Sequence, residues 1–351
     1  MNHSIGINER SIGMNSPCYI IAEMSANHSG SLERALEIVH AAKEAGADCI
    51  KIQTYTPDTL TIDCNNEFFQ IKEGTWKGEN LYSLYGKAFT PWEWQGRIKE
   101  EADRLGIDFL STPFDNTSVD FLESLDVKFY KIASFELVDI PLIKYVASKG
   151  KPVIMSTGMG TLGEIEEAVK AVKSQGNDKL ILLKCSSAYP AIPDNMNLIT
   201  IKGLSEVFNC PVGLSDHSMG SITAVTAVVL GARVIEKHFC ISREIENPDS
   251  SFSMEPNEFK KMVEDIRSAE RAIGEINFGA FGEDEDKNRI FRKSIFVTKD
   301  IKKGEKFTDA NIKVIRPGYG MKPKYYETVI HKCASRDIAR GTPLEWTMIE
   351  G

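Results

Sequence analysis

Short runs of β-branched and other apolar residues alternate along most of the chain with longer segments in which apolar residues recur every three or four positions. The short runs resemble buried strands, and the longer segments have the periodicity of helices with one apolar face. Eight strands are predicted, at residues 19–23, 49–53, 107–111, 128–132, 153–156, 180–184, 212–215 and 234–238. Eight strand–helix units across about 270 residues predict an α/β fold, the (β/α)8 or TIM barrel. A doubly wound open sheet is the alternative that this pattern leaves open.

Two of the intervening helices have clear start signals. Thr161 and Glu164 have the spacing of a capping box, and Pro256 suits the first turn of a later helix. The apolar residues predicted to face the barrel are Ile165, Ala168, Val169 and Val172 in the first helix, and Phe259, Met262, Val263, Ile266 and Ile273 in the second.

The connection between the second strand and its helix is unusually long, running from residue 54 to about residue 90. Its aromatic residues, including those at the start of the following helix, are Trp76, Tyr82, Tyr85, Trp92 and Trp94. In a barrel this connection lies at the carboxyl-terminal face, where active sites are built. Substrate contact and simple packing on the surface both remain open for each of these side chains.

The character of the chain changes near residue 275. The segment 277–291, which contains FGAFGEDEDKN, is predicted to be a linker between a barrel domain at 1–276 and a small domain at 292–351. The small domain has a weak repeat, DIKKGEKF at 300–307 and DIARGTPL at 337–344, and each glycine is expected at a positive-φ turn position. About 60 residues is marginal for an independent core, so this domain is expected to dock on something else.

Composition excludes several classes of protein. The chain has 42 basic and 50 acidic residues, a net charge of −8, which argues against nucleic acid or anionic membranes as partners. The seven cysteines include no C-x-x-C pair, so reduced thiols in a cytoplasmic enzyme are expected. Neither the first thirteen residues nor the uncharged stretch 218–232 has the length or apolar character of a signal peptide or a membrane span.

Polar residues gather at the ends of the predicted strands. Every strand ends in ionisable or hydroxyl side chains, Ser111, Asp216 and Lys237 among them. Because the carboxyl ends of barrel strands meet at one face, these groups predict a polar chamber at the barrel mouth. His217 and His238 end consecutive strands and are predicted to hold one divalent ion, whose shell substrate and water would complete. Hydrogen-bonded structural histidines are the alternative.

Two lysines lie inside otherwise apolar strands. Lys51 and Lys131 point inward by strand parity, and a buried ammonium group needs a counter-charge. Glu23 or Glu236 would supply it in a structural ion pair, whereas a phosphate or carboxylate would supply it in a substrate site. Both alternatives stay open on the residues alone.

Nine segments, in order, carry a resemblance to a known family. They are IAEMSANHSG (21–30), IKIQTY (50–55), STPFD (111–115), YKIASFE (130–136), STGM (156–159), KCSSAYP (184–190), GLSDHS (213–218), EKHF (236–239) and PDSSFSMEP (248–256). Together they resemble the sialic acid synthase family, whose members condense phosphoenolpyruvate with an N-acetylated sugar. The small domain, with RPG at 316–318, looks like the antifreeze-like, or SAF, domain of that family.

The resemblance implies roles for individual residues. It implies phosphoenolpyruvate contacts at Lys51, Thr112, Lys131, Ser134, Ser156, Ser187 and Ser215, although the family often has asparagine where this chain has Ser187. It implies acceptor-sugar contacts at Gln53, Tyr189, Asp249 and Arg316, with Arg316 supplied by the partner in a domain-swapped homodimer. His217 and His238 would bind Mn²⁺, with Mg²⁺ or Co²⁺ as alternatives, and Glu23 would transfer a proton or else pair with a lysine.

The long aromatic connection narrows the expected substrate. Residues 74–94 are similar to the same stretch in the pseudaminic acid branch of the family, whose acceptor is 2,4-diacetamido-2,4,6-trideoxy-L-altrose. The N-acetylneuraminate and legionaminate branches are the nearest alternatives. Two further rivals are a synthase that uses a phosphorylated sugar, which the SAF-like domain argues against, and a non-catalytic sugar-binding protein on a degenerate barrel.

Overall fold

A computed structural model describes residues 4–13 and 15–350. Its internal contacts divide the chain into two units, residues 1–274 and residues 275–351. Among the helices of the described residues, none combines the length and the apolar character needed to cross a membrane. The seven cysteines are free thiols.

The first unit is built around one parallel sheet. The strands of the described residues are β1 (Ile5–Ile7), β2 (Arg10–Ile12), β3 (Tyr19–Glu23), β4 (Cys49–Thr54), β5 (Asp108–Pro113), β6 (Tyr130–Ile132), β7 (Val153–Ser156), β8 (Leu180–Cys185), β9 (Val212–Asp216) and β10 (Val234–His238), followed in the second unit by β11 (Ser294–Val297) and β12 (Ile312–Ile315). Strands β3 to β10 are hydrogen-bonded in the order β5-β4-β3-β10-β9-β8-β7-β6, and β5 lies beside β6. Because β10 pairs with β3 and the two ends of this order meet, the sheet is a nearly closed barrel. The predicted TIM barrel is confirmed.

Helices alternate with these strands. They are α1 (Leu32–Glu44), α2 (Pro57–Leu60), α3 (Leu81–Ala88), α4 (Trp92–Leu105), α5 (Asn116–Ser124), α6 (Ile140–Ser148), α7 (Leu162–Lys173), α8 (Thr200–Phe208), α9 (Ile222–Val229), α10 (Pro256–Ile273), α11 (Glu283–Lys287) and α12 (Tyr326–Val329). Helices α2 and α3 lie within the long connection after β4, which ends where α4 begins.

The predicted strands and helix signals agree with the structure except near some ends. The capping box forms, since Thr161 Oγ1 accepts from the Glu164 amide and the Glu164 carboxylate accepts from the Thr161 amide. Ile107, predicted as the first residue of a strand, instead donates its amide to Ala102 O at the end of α4, because Gly106 turns the chain at φ +64°. Ile273, predicted to be on the buried face of α10, is 51% exposed because it is the last residue of that helix.

Two apolar layers leave a single polar end of the barrel. One lies between the sheet and the helices, and the other fills the barrel interior with Ile21, Leu110, Ile154 and Leu183. The hairpin β1–β2 adds three isoleucines to the interior layer. The amino-terminal end is therefore plugged by apolar side chains, and the polar chamber can form only at the carboxyl-terminal end.

The repeat in the second unit is a reciprocal pairing. Ile301 and Ile338, at equivalent positions of the two copies, exchange backbone hydrogen bonds of 2.9 and 2.8 Å. Asp337 accepts from the Lys303 amide, and Asp300 accepts from the Arg340 amide. The glycines of the two copies, Gly304 and Gly341, lie at φ +80° and +85°, as expected from the repeat. The predicted linker, 277–291, contains α11 and a 3-10 turn of exposed residues.

Candidate active site

Strand parity separates the polar strand ends into two sets. Lys237 Nζ lies 2.7 Å from Asp216 Oδ2, and it also donates to Ser218 O at 2.6 Å. Thr223, at the start of α9, donates to the same Asp216 oxygen, so this network faces the helices outside the barrel. Ser111 likewise bonds outward, to Thr54. The expectation that these groups line the mouth is wrong, because each is one residue out of phase with the inward positions.

The inward set contains a chain of four buried charges. Lys51 Nζ lies 2.7 Å from Glu23 Oε2 and 3.7 Å from Glu236 Oε1, and Lys131 Nζ lies 3.8 Å from the same Glu236 atom. Glu23 and Lys51 are direct partners in the register of β3 and β4. All four side chains are at least 90% buried. The two cations are thus desolvated but balanced within the protein.

This arrangement shifts the pKa values of the two glutamates in opposite directions. Burial raises the pKa of Glu23, and the neighbouring Glu236 adds to the shift while Lys51 opposes it. Burial alone would raise the pKa of Glu236, but Lys131 and Lys51 bring it below its ordinary value. Glu236 is therefore the stronger acid of the cluster, and Glu23 is the weaker one. Burial lowers the pKa of Lys131, against the opposing effect of Glu236.

Hydroxyl groups surround Lys131. Ser156 Oγ accepts a hydrogen bond from Lys131 Nζ at 2.7 Å. Ser134 and Ser187 flank Gly158 so closely that a Cβ atom on the glycine would lie 3.0 Å from Ser134 Oγ and 2.2 Å from Ser187 Oγ. These groups come from the ends of β6, β7 and β8, and they form a compact set of donors beside a buried cation. Such a set is suited to a phosphate or carboxylate group.

Thr112 and Ser215 are the two remaining hydroxyl residues that were predicted to contact phosphoenolpyruvate. Thr112 Oγ1 is buried and has no hydrogen-bond partner in the structure. Ser215 instead donates to Glu236 Oε1 at 3.1 Å. Thr112 is thus a free donor in the chamber, whereas Ser215 helps to hold the glutamate that neutralises the lysines.

The two histidines lie side by side with their ring centroids 5.4 Å apart. His217 Nδ1 bonds to Ser186 O at 2.9 Å, which requires the proton on Nδ1 and leaves the lone pair on Nε2. His238 is buried, its Nδ1 has no hydrogen-bond partner, and burial holds its pKa well below the ordinary value, so the ring is neutral. Burial alone would lower the pKa of His217, but Cys185 and the Ser186 carbonyl raise it above its ordinary value. In their neutral forms the two imidazoles have nitrogens available for a divalent ion.

Across residues 4–13 and 15–350, no group of three or more histidine, cysteine, aspartate or glutamate side chains is arranged to hold a metal ion. Two protein ligands would leave most positions of the metal shell to substrate oxygens and water, which is the open arrangement of a catalytic ion.

Three of the four residues expected to contact a sugar belong to the barrel unit. Gln53 Nε2 donates to Glu23 Oε1 and to Ser25 Oγ, each at 2.9 Å. The Tyr189 ring lies 4.3 Å from the His217 ring. Asp249 is buried although it follows β10 in a loop, and it accepts from the Ala26 amide at 3.2 Å. Arg316 belongs to the second unit, directly after β12.

Sequence reasoning missed two groups in this region. Burial raises the pKa of Glu136 to about 7 against the effect of Lys131, and its Oε2 atom has no hydrogen-bond partner. Burial alone would raise the pKa of Cys185, but the hydrogen bond with His217 lowers it to about 7. Cys185 also contacts Ser134 Oγ at 3.3 Å. Both had a signal, since Glu136 is two residues beyond Ser134 and Cys185 has the inward parity of its strand.

Comparison with known proteins shows the family to which the chain belongs. The chain matches the NeuB family over residues 38–278 and the SAF domain over residues 292–350. It belongs to the NeuB family and is an enzyme of the sialic acid synthase type. The resemblance inferred from the nine segments is confirmed.

Three relatives illustrate the range of similarity. The pseudaminic acid synthase of Campylobacter jejuni is 49% identical over 329 residues, which cover 93% of this chain and 95% of that protein. The N,N'-diacetyllegionaminic acid synthase of Legionella pneumophila is 38% identical and covers 96% of each chain. The crystal structure of the spore coat polysaccharide biosynthesis protein SpsE from Bacillus subtilis superposes with a TM-score of 0.68 at 33% identity and covers 99% of each chain.

Replacing Gly158 is expected to damage anion binding without unfolding the barrel. In Gly158→Ala the new Cβ must displace Ser187 and Ser134, and the KM for phosphoenolpyruvate should rise about tenfold or more. Gly163→Ala is the matched control, since its Cβ would lie 4.0 Å from its nearest neighbour, and its KM should not change. Equal KM values for the two variants in steady-state phosphate-release assays would contradict a role of Ser134 and Ser187 in binding the anion.

Proposed function

We propose that this chain condenses phosphoenolpyruvate with 2,4-diacetamido-2,4,6-trideoxy-L-altrose to give pseudaminic acid and inorganic phosphate. The observation that carries the proposal is that two buried lysines, Lys51 and Lys131, lie at the same end of the barrel as the adjacent histidines His217 and His238. The choice of acceptor is supported by the higher identity to the pseudaminic acid synthase than to the legionaminic acid synthase.

Lys51 and Lys131 hold the phosphate and carboxylate groups of phosphoenolpyruvate in this proposal. Both ammonium groups are buried, so an incoming anion meets them in a medium of low dielectric constant. Thr112, Ser134, Ser156 and Ser187 add neutral donors, and Ser215 acts through Glu236. This set supplies donors to the substrate without adding further buried charge.

The reaction forms one carbon–carbon bond and breaks one carbon–oxygen bond. C3 of phosphoenolpyruvate attacks the aldehyde carbon C1 of the open-chain sugar, and water adds at C2. Loss of phosphate from C2 then leaves the keto acid. Glu23 is the candidate for moving a proton at the C1 oxygen or the attacking water, because it is the carboxyl group of the buried cluster whose pKa is raised. Glu136, with a pKa of about 7, is a second candidate.

His217 and His238 would hold a divalent ion, Mn²⁺ in this proposal with Mg²⁺ or Co²⁺ as alternatives. When bound, such an ion polarises the aldehyde oxygen as a Lewis acid. Gln53, Tyr189 and Asp249 position the acceptor from the surrounding loops. The proposal also includes a cytoplasmic, domain-swapped homodimer in which Arg316 of one subunit reaches the acceptor in the barrel of the other.

An acceptor panel tests the proposed reaction. The enzyme is incubated with MnCl2 and with phosphoenolpyruvate that carries ¹⁸O in the bridging position. The acceptors are the L-altro sugar, isomeric diacetamido-trideoxy hexoses, N-acetylmannosamine and phosphorylated sugars. We expect the highest kcat/KM with the L-altro sugar and the label in phosphate, as measured by mass spectrometry.

Each rival gives a different result in the same panel. A higher kcat/KM with N-acetylmannosamine or an isomeric diacetamido sugar would show that the chain has the acceptor specificity of a neighbouring branch of the family. Turnover only with phosphorylated acceptors would indicate the rival synthase class. Sugar binding without any phosphate release would indicate a binding protein, and label retained in the sugar acid would exclude C–O cleavage.

Replacement of His238 tests the metal assignment. His238→Ala should lose Mn²⁺ affinity by at least about tenfold in calorimetric titration and should lose turnover, because a single imidazole remains. His40→Ala, which alters an exposed histidine paired with Glu101, should change neither value. Full activity of the unaltered enzyme after exhaustive chelation would refute the metal.

Mixing the His238→Ala variant with the Arg316→Ala variant, assayed at an acceptor concentration well below the raised KM of the latter, tests the role of Arg316. In a swapped dimer, a subunit with Arg316→Ala keeps an intact barrel, and a subunit with His238→Ala keeps an intact Arg316. Co-expression should therefore restore up to about a quarter of the activity through mixed dimers. Arg316→Ala alone should mainly raise the acceptor KM. Absence of any recovery in a mixed dimer that is shown to form would contradict the swapped arrangement.

A further inference from the structure

Two neighbouring residues of the long connection after β4, Thr75 and Trp76, form hydrogen bonds with loops at the barrel mouth. Trp76 Nε1 donates to Pro248 O at 2.9 Å, next to the buried Asp249. Thr75 Oγ1 donates to Tyr189 O. The connection is therefore attached to the loops that follow β8 and β10, the two loops that supply Tyr189 and Asp249.

Trp76 also extends an aromatic surface that begins at the histidines. The Tyr189 ring lies 4.3 Å from His217, and the Phe252 ring lies 5.0 Å from His238. Tyr189 and Phe252 contact each other at 5.3 Å, and Trp76 contacts them at 5.4 and 6.5 Å. Trp76 is thus one ring further from the histidines than its two neighbours.

The Trp76 end of this surface has little capacity to satisfy a hydroxyl group. The only polar atom of the Trp76 side chain is already bonded to Pro248 O, and the buried Phe252 ring that it contacts is apolar, so the Tyr189 hydroxyl is the one unbonded polar group among the three rings. A substrate hydroxyl placed against Trp76 would lose its water without gaining a partner there, whereas a methyl group would gain apolar contact.

We infer that Trp76, packed on Tyr189 and Phe252, forms the part of the acceptor site that faces C6 of the sugar and selects a methyl group there over a hydroxymethyl group. The inference rests on the proposed function, which places the C1 aldehyde at the histidines and hence the other end of the six-carbon chain further along the aromatic surface. Trp76 is accordingly a specificity-determining residue, supplied by the long connection after β4.

The test compares two acceptors that differ only at C6, the 6-deoxy diacetamido sugar and its 6-hydroxy counterpart, in steady-state assays with phosphoenolpyruvate. The unaltered enzyme should favour the 6-deoxy acceptor by about 10- to 100-fold in kcat/KM, the range that an apolar pocket achieves against an added hydroxyl. Trp76→Ala should reduce this ratio about tenfold and leave the KM for phosphoenolpyruvate within about twofold. Trp76→Phe retains a ring and should keep most of the preference.

Trp92→Ala is the matched control. Trp92 closes the same connection, donates Nε1 to Tyr55 O at 3.1 Å and stacks on Phe121 at 4.7 Å, away from Tyr189 and Phe252. Its acceptor ratio should match that of the unaltered enzyme. Trp76→Gln provides a second replacement in case the alanine variant does not fold, and its amide should favour the hydroxylated acceptor further.

The possible outcomes distinguish a failure of this inference from a failure of the proposed function. An unchanged acceptor ratio in folded Trp76→Ala or Trp76→Gln, or an equal loss in Trp92→Ala, would overturn the role of Trp76 while the proposed reaction stands. Failure of the unaltered enzyme to use either acceptor, with turnover of a different sugar, would overturn the proposed function and the inference together.

Discussion

The candidate site depends on keeping two ammonium groups out of water. Lys51 and Lys131 are buried at the end of the barrel, and Glu236 lies between them while Glu23 pairs with Lys51. A single buried charge would cost several kcal/mol, so these groups are stable only as a set. They come from β3, β4, β6 and β10, and the set exists only because β10 returns to pair with β3.

The same constraint explains how an acidic protein can bind small anions. The net charge of −8 describes the whole chain, whereas the site holds two buried lysines beside hydroxyl donors, with Glu236 as the carboxylate of lowered pKa between them. Apolar side chains close the opposite end of the barrel, and the outward pair Asp216–Lys237 fixes the strands whose next residues are His217 and His238. The rigid surroundings hold the donors of the mouth in place before any substrate arrives.

Much of this organisation was predictable from local patterns, and the failures have specific causes. Periodicity located all eight barrel strands, and the spacing of Thr161 and Glu164 located a helix start. Ile107 was wrongly assigned to a strand because, after the turn at Gly106, its amide donates to Ala102 O of α4. Asp216 and Lys237 were misplaced because their position at strand ends was weighed above their parity. Glu136 was missed because its raised pKa comes from burial, which has no direct signature in a single sequence.

By itself, the sequence determined the strand count, the inward parity of the lysines and histidines, the repeat in the second unit and the family, because each is written in residues close together along the chain. Only the tertiary structure decided that both lysines share Glu236, that Gly158 has room for no side chain beside Ser187, and that Trp76 meets Tyr189 and Phe252. Those contacts join residues up to about 185 positions apart, and their distances depend on closure of the barrel rather than on local propensity.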